Sequence, residues 1–122
     1  MYNEGTIIAL SSPPGSGAIS IIRLSGKDSI SKTDKFFESK SGKKLKDCNG
    51  YSISYGNFLA GEEVLDEVVI SLYKGPHSYT GEDVVEISCH GSNYIQQEII
   101  SSFTSSGVRL ASPGEFTLRA VS

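Results

Sequence analysis

The residues that could do chemistry are concentrated in one short segment, residues 75–91, which reads GPHSYTGEDVVEISCHG. Within it, Glu86 stands among β-branched residues that favour a strand. A carboxylate is costly to bury in an apolar strand unless a partner binds it. Glu86 is therefore either a solvated carboxylate at a strand edge or a carboxylate that accepts hydrogen bonds from a ligand.

Arg23 presents the same choice, because it lies between apolar neighbours in residues 18–26, AISIIRLSG. One interpretation is an arginine at a strand edge that pairs with a surface acid. The other is a guanidinium that holds an anion or a planar heteroaromatic ring. The residues alone leave both interpretations open.

His90 and the two cysteines, Cys48 and Cys89, lack the partners that metal or catalytic chemistry requires. No Cys-x-x-Cys pair or Cys/His ligand spacing accompanies them, so no zinc site is expected. We expect His90 to have a structural role at the turn that follows the strand. We expect Cys89 to be a small buried residue and Gly91 to permit a close backbone approach or a positive φ.

The sequence contains no phosphate-binding P-loop. That motif requires a glycine five residues before a Gly-Lys pair. The pair at residues 42–43 has Phe37 at that position, and the pair at residues 26–27 has Ile21. We therefore expect this chain alone not to hydrolyse GTP by that mechanism and to carry no catalytic residue.

Hydrophobic periodicity predicts a mixed α+β domain, with a mixed sheet of about five strands and about three helices. A turn at residues 13–17 would join the first two strands into a hairpin-like pair. The next two strands are expected to form a long antiparallel hairpin. The predicted strands are residues 6–11, 18–24, 51–59, 64–73, 83–89 and 108–110.

Two helices are predicted in the middle of the chain. Residues 27–39 suggest a helix with one apolar side formed by Ile30, Phe36 and Phe37. The lysine-rich residues 39–50 that follow are expected to form a surface loop, the best candidate for local disorder. A second helix is predicted at residues 92–105, with Ser92 as its N-cap and a core stripe of Ile95, Ile99 and Phe103.

The last helix has a compact start signature. Ser112 can cap it, Pro113 suits its first position and Glu115 follows three residues after the cap. Arg119 is expected to form a surface ion pair with Glu115, or to take part in a ligand pocket or dimer interface. No Gly, Asn or Pro ends this helix before Ser122, so we expect the chain to be a fragment cut inside or just after a helix.

The bulk composition describes one domain of 122 residues with a net charge of -3 and a pI of about 5.3. An acidic chain is not expected to be a principal nucleic-acid-binding surface, which is normally basic. Neither a signal peptide nor an apolar stretch long enough to span a membrane is visible. These features predict a soluble cytoplasmic protein with free thiols and no membrane association.

Three segments together resemble the N-terminal domain of the bacterial tRNA-modification GTPase family MnmE, also called TrmE. The matching motifs are, in order, PPGSG followed by IIRLSG, then SYTGEDVVEISCHG, then SPGEFTLRA. The resemblance covers nearly the whole chain and is weakest over residues 27–61. Three ordered motifs are far more specific than a single short motif.

The resemblance implies that residues 1–122 are an N-terminal folate-binding and dimerisation domain. It implies a fold like the tetrahydrofolate-binding domain of the glycine-cleavage T protein, and a homodimer with folate near its interface. The parent's helical and GTPase domains, the latter using GTP, Mg and K, would lie outside this chain. With the flavoprotein MnmG, the parent would install a (carboxymethyl)aminomethyl-type group on the wobble uridine of tRNA.

The resemblance implies that 5-formyltetrahydrofolate is the cofactor of this domain. Arg23 and Glu86 match the family positions that bind it. Glu86, not Glu82, matches the second glutamate of the family's GEDVxE pattern. Two departures stand out: Ser16 replaces a usual arginine, and a further folate-contacting lysine falls beyond Ser122. The alternative is therefore a purely structural dimerisation module with a degenerate folate pocket. A stand-alone folate-dependent transferase is disfavoured, because no nucleophile–base pair is evident.

Overall fold

A computed structural model describes residues 5–12, 17–75 and 80–121. They form one mixed sheet in the strand order β3-β4-β5-β6-β2-β1-β7, in which only the β1–β7 pairing is parallel. The strands are β1 (Ile7–Leu10), β2 (Ile19–Ser25), β3 (Phe37–Ser39), β4 (Tyr51–Ala60), β5 (Glu63–Tyr73), β6 (Val84–His90) and β7 (Arg109–Leu110). The helices are α1 (Ser29–Asp34), α2 (Asn93–Thr104) and α3 (Glu115–Val121), with a 3-10 turn at Leu45–Asp47.

The predicted α+β class is confirmed, but the described residues form seven strands rather than about five. Six of the seven overlap the six predicted strand segments, and the seventh, β3, lies inside the segment expected to be helical. α1 has only six residues, and Phe37 belongs to β3, where it pairs with Phe58 of β4. Pairing with a distant strand therefore overrides the local helical pattern. The likeness to the glycine-cleavage T protein stays a prediction.

Both predicted strand pairs are confirmed. β1 and β2 pair antiparallel, although the turn expected between them lies outside the described residues except for Gly17. β4 and β5 form the long antiparallel hairpin, with a bulge between Phe58 and Leu59. Gly61 has φ +66° in the tight turn between them, a conformation that glycine adopts at low cost.

One face of the sheet carries the hydrophobic core beneath α1 and α2. Ile99 and Phe103 of the predicted α2 stripe are fully buried, and Ile95 is partly buried. The predicted N-cap is also confirmed, because the Ser92 side chain accepts a hydrogen bond from the Ile95 N–H at 3.4 Å. The local pattern of α2 thus predicts both its start and its buried face.

The lysine-rich segment at residues 40–50 is anchored rather than disordered. Leu45 is fully buried. The Asp34 carboxylate accepts the backbone N–H groups of Leu45 at 2.8 Å and Lys46 at 3.2 Å. Lys74 donates from the other side to the Lys46 carbonyl at 3.2 Å. One apolar side chain and three hydrogen bonds therefore hold a segment whose composition suggested disorder.

Candidate ligand-binding face of the sheet

Arg23 and Glu86 lie on the face of the sheet opposite the hydrophobic core. Successive side chains of a strand point to opposite faces. On β2, Ile22 and Leu24 belong to the core, so Arg23 between them lies on the second face. On β6, Ile87 belongs to the core, so Glu86 beside it also lies on the second face.

The structure brings these two predicted site residues together, although they are 63 residues apart in the chain. They are direct cross-strand partners. Glu86 Oε2 accepts a hydrogen bond from Arg23 Nε at 2.7 Å and forms an ion pair with Arg23 Nη2 at 2.6 Å. The side chains are 28% and 20% exposed, so the pair is accessible from solvent. Among the described residues, no hydrogen bond reaches Glu86 Oε1.

The structure corrects one part of the interpretation that Arg23 and Glu86 are residues at a strand edge. Arg23 does pair with an acid, as that interpretation predicts, and the acid is Glu86. Neither residue is at an edge, because β2 and β6 are neighbouring central strands of the sheet. The charged pair therefore lies in the middle of the second face of the sheet rather than at its edge.

Aromatic side chains flank the pair. The Phe116 ring centroid is 5.9 Å from Arg23 Cζ, within the range of a cation–π contact. On the same face of the sheet, Tyr73 of β5 packs edge-to-face against Tyr51 with 5.0 Å between ring centroids. Burial, then the negative charge of Glu86, raises the pKa of Tyr73. The second face of the sheet can therefore offer a planar ligand both charged hydrogen-bonding groups and aromatic surfaces.

A second charged cluster is centred on Arg119 of α3, the helix that also carries Phe116. The predicted contact of Arg119 with Glu115 is present, with Nη2 and Oε2 3.3 Å apart. The expected surface location is wrong, because both side chains are buried. Arg119 also reaches Glu82 with Nη1 and Oε1 3.0 Å apart, and Arg109 donates two hydrogen bonds to Glu115 at 2.9 and 2.5 Å. Sequence reasoning missed Arg109 and Glu82 as members of this cluster.

The pKa of Glu115 is lowered to about 2. The hydrogen bonds from Arg109 are the largest cause, and the Ser112 N–H, which donates to Oε1 at 3.0 Å, contributes further. This last bond is the backward half of the predicted capping arrangement. The helix nevertheless begins at Glu115 rather than Pro113, because Gly114 has φ +76° and so cannot continue a right-handed helix.

Ser25 connects this cluster to β2, two residues beyond Arg23. Its hydroxyl donates to Glu82 Oε1 at 3.0 Å and shares a 2.6 Å hydrogen bond with the Thr80 hydroxyl. The cluster therefore fixes α3 and the loop before β6 against the sheet. This placement holds Phe116 beside Arg23.

The remaining candidates lie at the end of β6. His90 Nδ1 is 2.6 Å from an Asp66 oxygen, and the His90 N–H donates to the other Asp66 oxygen at 2.9 Å. Cys89 is buried as predicted, and burial raises its pKa to about 11. The close approach predicted for Gly91 is confirmed, because an added Cβ would stand 2.1 Å from the Gly17 carbonyl oxygen.

Residues 5–12, 17–75 and 80–121 lack two features that would point to other functions. They contain no group of three or more His, Cys, Asp and Glu side chains that could hold a metal ion. They also contain no helix long and apolar enough to cross a membrane. Ser16 lies outside these ranges, so the effect of a serine in the PPGSG motif stays a prediction.

The fold and the candidate site together define a small α+β domain. Helices cover one face of its mixed sheet, and the other face presents an Arg–Glu pair between aromatic side chains. The chain belongs to the family described as "GTP-binding protein TrmE N-terminus", whose sequence model matches residues 6–122.

Curated relatives agree with this assignment. The chain is 48% identical over 120 residues to the tRNA modification GTPase MnmE of Flavobacterium johnsoniae, covering 98% of this chain and 26% of that protein. It is 49% identical over 117 residues to the protein of the same name from Parabacteroides distasonis, covering 94% and 25%. For the protein from Clostridioides difficile the identity is 43% over 120 residues, covering 98% and 26%. The chain thus spans about a quarter of the length of these relatives.

Proposed function

We propose that this chain is the N-terminal folate-binding and dimerisation domain of a tRNA-modification GTPase. The domain binds 5-formyltetrahydrofolate on the second face of its sheet, with Arg23 and Glu86 as the cofactor-binding residues. GTP, Mg and K act in a GTPase domain outside this chain. The longer protein works in the cytoplasm with MnmG to modify the wobble uridine of tRNA.

The observation that carries the folate proposal is the Arg23–Glu86 pair on the central strands. One hydrogen bond and one ion-pair contact from Arg23 engage a single oxygen of Glu86 and orient the carboxylate. The other oxygen remains as an acceptor for the N–H groups of the amino-pyrimidine ring of a pterin. Charge-assisted bonds of this kind supply orientation as well as affinity.

The flanking side chains supply the second requirement, which is a surface for a flat ring. The Phe116 ring contacts Arg23, and Tyr73 lies close enough to Glu86 for that charge to raise its pKa. Aromatic rings favour offset or edge contacts with another ring. The Arg23 guanidinium is planar and can stack on a ring or hold a carboxylate. A reduced folate carries both a pterin ring and carboxylates.

Exposed apolar side chains around the pair support a homodimer. Tyr51 and Ile53 on β4 are each 75% exposed, Tyr55 is 48% exposed, and Ile19 on β2 is 65% exposed. The strand register aligns Tyr55 with the half-buried Val69 of β5 and Ile21 of β2. Ile19 and Arg23 lie on the same face as Ile21, because they alternate with the buried residues of β2. Apolar patches of this kind mark association surfaces, and a second copy of the domain is the occupant that the proposal assigns.

One observation favours the alternative, a structural dimerisation module without a working folate site. Arg23 and Glu86 bond to each other, and a partly exposed cross-strand ion pair of this kind contributes a few tenths of a kcal/mol to about 1 kcal/mol of stability without any ligand. In that alternative the pair is structural, and the apolar side chains serve association alone.

Calorimetric titration with 5-formyltetrahydrofolate separates the two proposals. We expect saturable binding to the chain and its loss in the Arg23→Ala, Glu86→Ala double variant. The matched control is Lys40→Ala, Glu67→Ala, which removes an exposed pair whose charged atoms are 3.5 Å apart, between Lys40 just after β3 and Glu67 on β5. The control is expected to bind folate like the unaltered chain, and circular dichroism establishes that both variants are folded.

Two outcomes would count against the folate proposal. A folded, unaltered chain that takes up no folate favours the structural module. Equal loss of binding in both double variants means that Arg23 and Glu86 are not specifically the binding residues.

A further inference from the structure

Positive charge is concentrated in one part of this acidic chain. Residues 27–46 hold seven of the eleven Lys and Arg residues but only three of the fourteen Asp and Glu residues. This segment therefore carries a net charge of +4, and the remainder carries -7. Such asymmetry suggests an interaction with a polyanion even where the average composition is acidic.

The fold gathers four of these lysines into one exposed region, which we call the lysine surface. Lys35 follows the end of α1, whereas Lys43, Lys44 and Lys46 flank the buried Leu45. Three of the four line an open groove of about 430 Å³, whose other lining residues are Ser31 and Asp34. Residues distant in the chain thus present ammonium groups to the same groove.

The lysine surface is held in place and is not neutralised by ion pairing. Both carboxylate oxygens of Asp34, the acid in the groove, accept backbone N–H groups of the anchored segment. Of the salt bridges that the described residues form, none involves Lys35, Lys43, Lys44 or Lys46. A fixed loop with unpaired ammonium groups loses little conformational freedom when it meets a row of anionic groups.

We propose that the lysine surface contacts the phosphate backbone of RNA. This inference rests on the proposed function, in which the longer protein acts on tRNA. The groove lining includes lysines but no aromatic side chain, so it supplies point charges for phosphates rather than groups that read bases. The groove contains no exposed apolar side chain for insertion among lipids, so RNA fits it better than an anionic membrane does. The average charge of the chain conceals this surface, which contributes to RNA binding without determining sequence specificity.

The test is fluorescence anisotropy with a labelled RNA hairpin the size of a tRNA anticodon arm, measured over a range of KCl concentrations. The test variant is Lys44→Gln, Lys46→Gln, and the control is Lys27→Gln, Lys40→Gln, which removes the same charge from exposed lysines outside the lysine surface. We expect the test variant to bind about tenfold more weakly at low salt. Its slope of log affinity against log salt should also fall by about 1.5, as for two lost phosphate contacts.

Three results would overturn the inference: no RNA binding by the unaltered chain, equal weakening in both variants, or binding to vesicles of phosphatidylcholine and phosphatidylserine in place of RNA. Folate titration of the same preparations keeps the two proposals separate. Folate binding without RNA binding refutes only the proposal that the lysine surface contacts RNA. If the unaltered chain does not bind folate, the folate proposal is refuted whatever the RNA result.

Discussion

At the scale of single residues, two arginine–glutamate contacts occupy different environments. Arg23 and Glu86 are partly exposed, so solvent screens their attraction and a ligand can reach them. Arg119 and Glu115 are buried, so removing one charge leaves the other desolvated and short of a partner. The first contact therefore suits binding, whereas the second fixes α3 against the sheet.

The lowered pKa of Glu115 makes stability depend on pH. Because the pKa is about 2 in the folded chain and 4.5 in its ordinary state, the ionised carboxylate stabilises the fold above about pH 4.5. This contribution, up to about 3 kcal/mol, is lost as pH falls from 4.5 towards 2. We expect Glu115→Gln to lower the free energy of unfolding at pH 7, with a difference that shrinks below pH 4.5. Urea unfolding between pH 3 and 7 measures it.

The control for this measurement is Glu62→Gln in the exposed turn between β4 and β5. A surface substitution of this type is expected to change the free energy of unfolding by less than about 0.5 kcal/mol. If the difference caused by Glu115→Gln is the same at pH 3 and pH 7, the ionised carboxylate is not what stabilises the fold.

At the scale of elements, the end of β6 and the segment that leads into β2 approach each other closely. The Gly17 N–H donates to the Gly91 carbonyl at 2.9 Å, and the Gly91 N–H donates to the Ala18 carbonyl at 3.3 Å. A side chain at residue 91 would collide with backbone atoms, which cannot rotate away as a side chain can. Glycine is therefore required here by contact rather than by its conformational freedom.

Replacing Gly91 with alanine is expected to destabilise the chain by about 1–3 kcal/mol, the usual range for inserting atoms into a packed region. The matched control is Gly50→Ala, whose Cβ would lie an ordinary 3.5 Å from Lys74 Cβ. Thermal or urea unfolding compares the two. Equal stability of both variants would mean that the Gly17 backbone moves aside without cost.

At the scale of the whole molecule, the two faces of the sheet differ in how they are covered. α1 and α2 cover the core face, whereas the second face keeps large exposed apolar side chains on β4 and β2. The Arg23–Glu86 pair lies among them. Association through this face would therefore place the proposed folate site beside the dimer interface.

The dimer proposal predicts that Tyr51→Lys weakens self-association at least tenfold, because a buried interface aromatic commonly contributes more than about 1–2 kcal/mol. The control is Tyr94→Lys on α2, which alters a tyrosine of similar exposure, 66% against 75%, outside the second face. Analytical ultracentrifugation measures both dissociation constants. If Tyr94→Lys weakens self-association more than Tyr51→Lys does, the interface lies on the helical layer that includes α2, not on the second face.

Much of the fold is predictable from local sequence, because its strands and helices carry their own patterns. The alternation of β4 and β5 predicts their hairpin, and the Ser92 cap and the apolar stripe predict α2. The failures are β3, where pairing with β4 replaces the end of a predicted helix, and the start of α3, where Gly114 turns the chain. Arg23 and Glu86 are individually conspicuous in the sequence because each is a charge among apolar neighbours.

The sequence by itself determined the class of fold, the family and the two candidate binding residues, because hydrophobic periodicity, caps and motifs act over a few neighbouring residues. Only the tertiary structure decided that Arg23 and Glu86 bond to each other, that Arg119 is buried, and that three lysines line one groove. These facts depend on which strands become neighbours and which loops are anchored. Long-range packing sets both, and no short stretch of sequence encodes it.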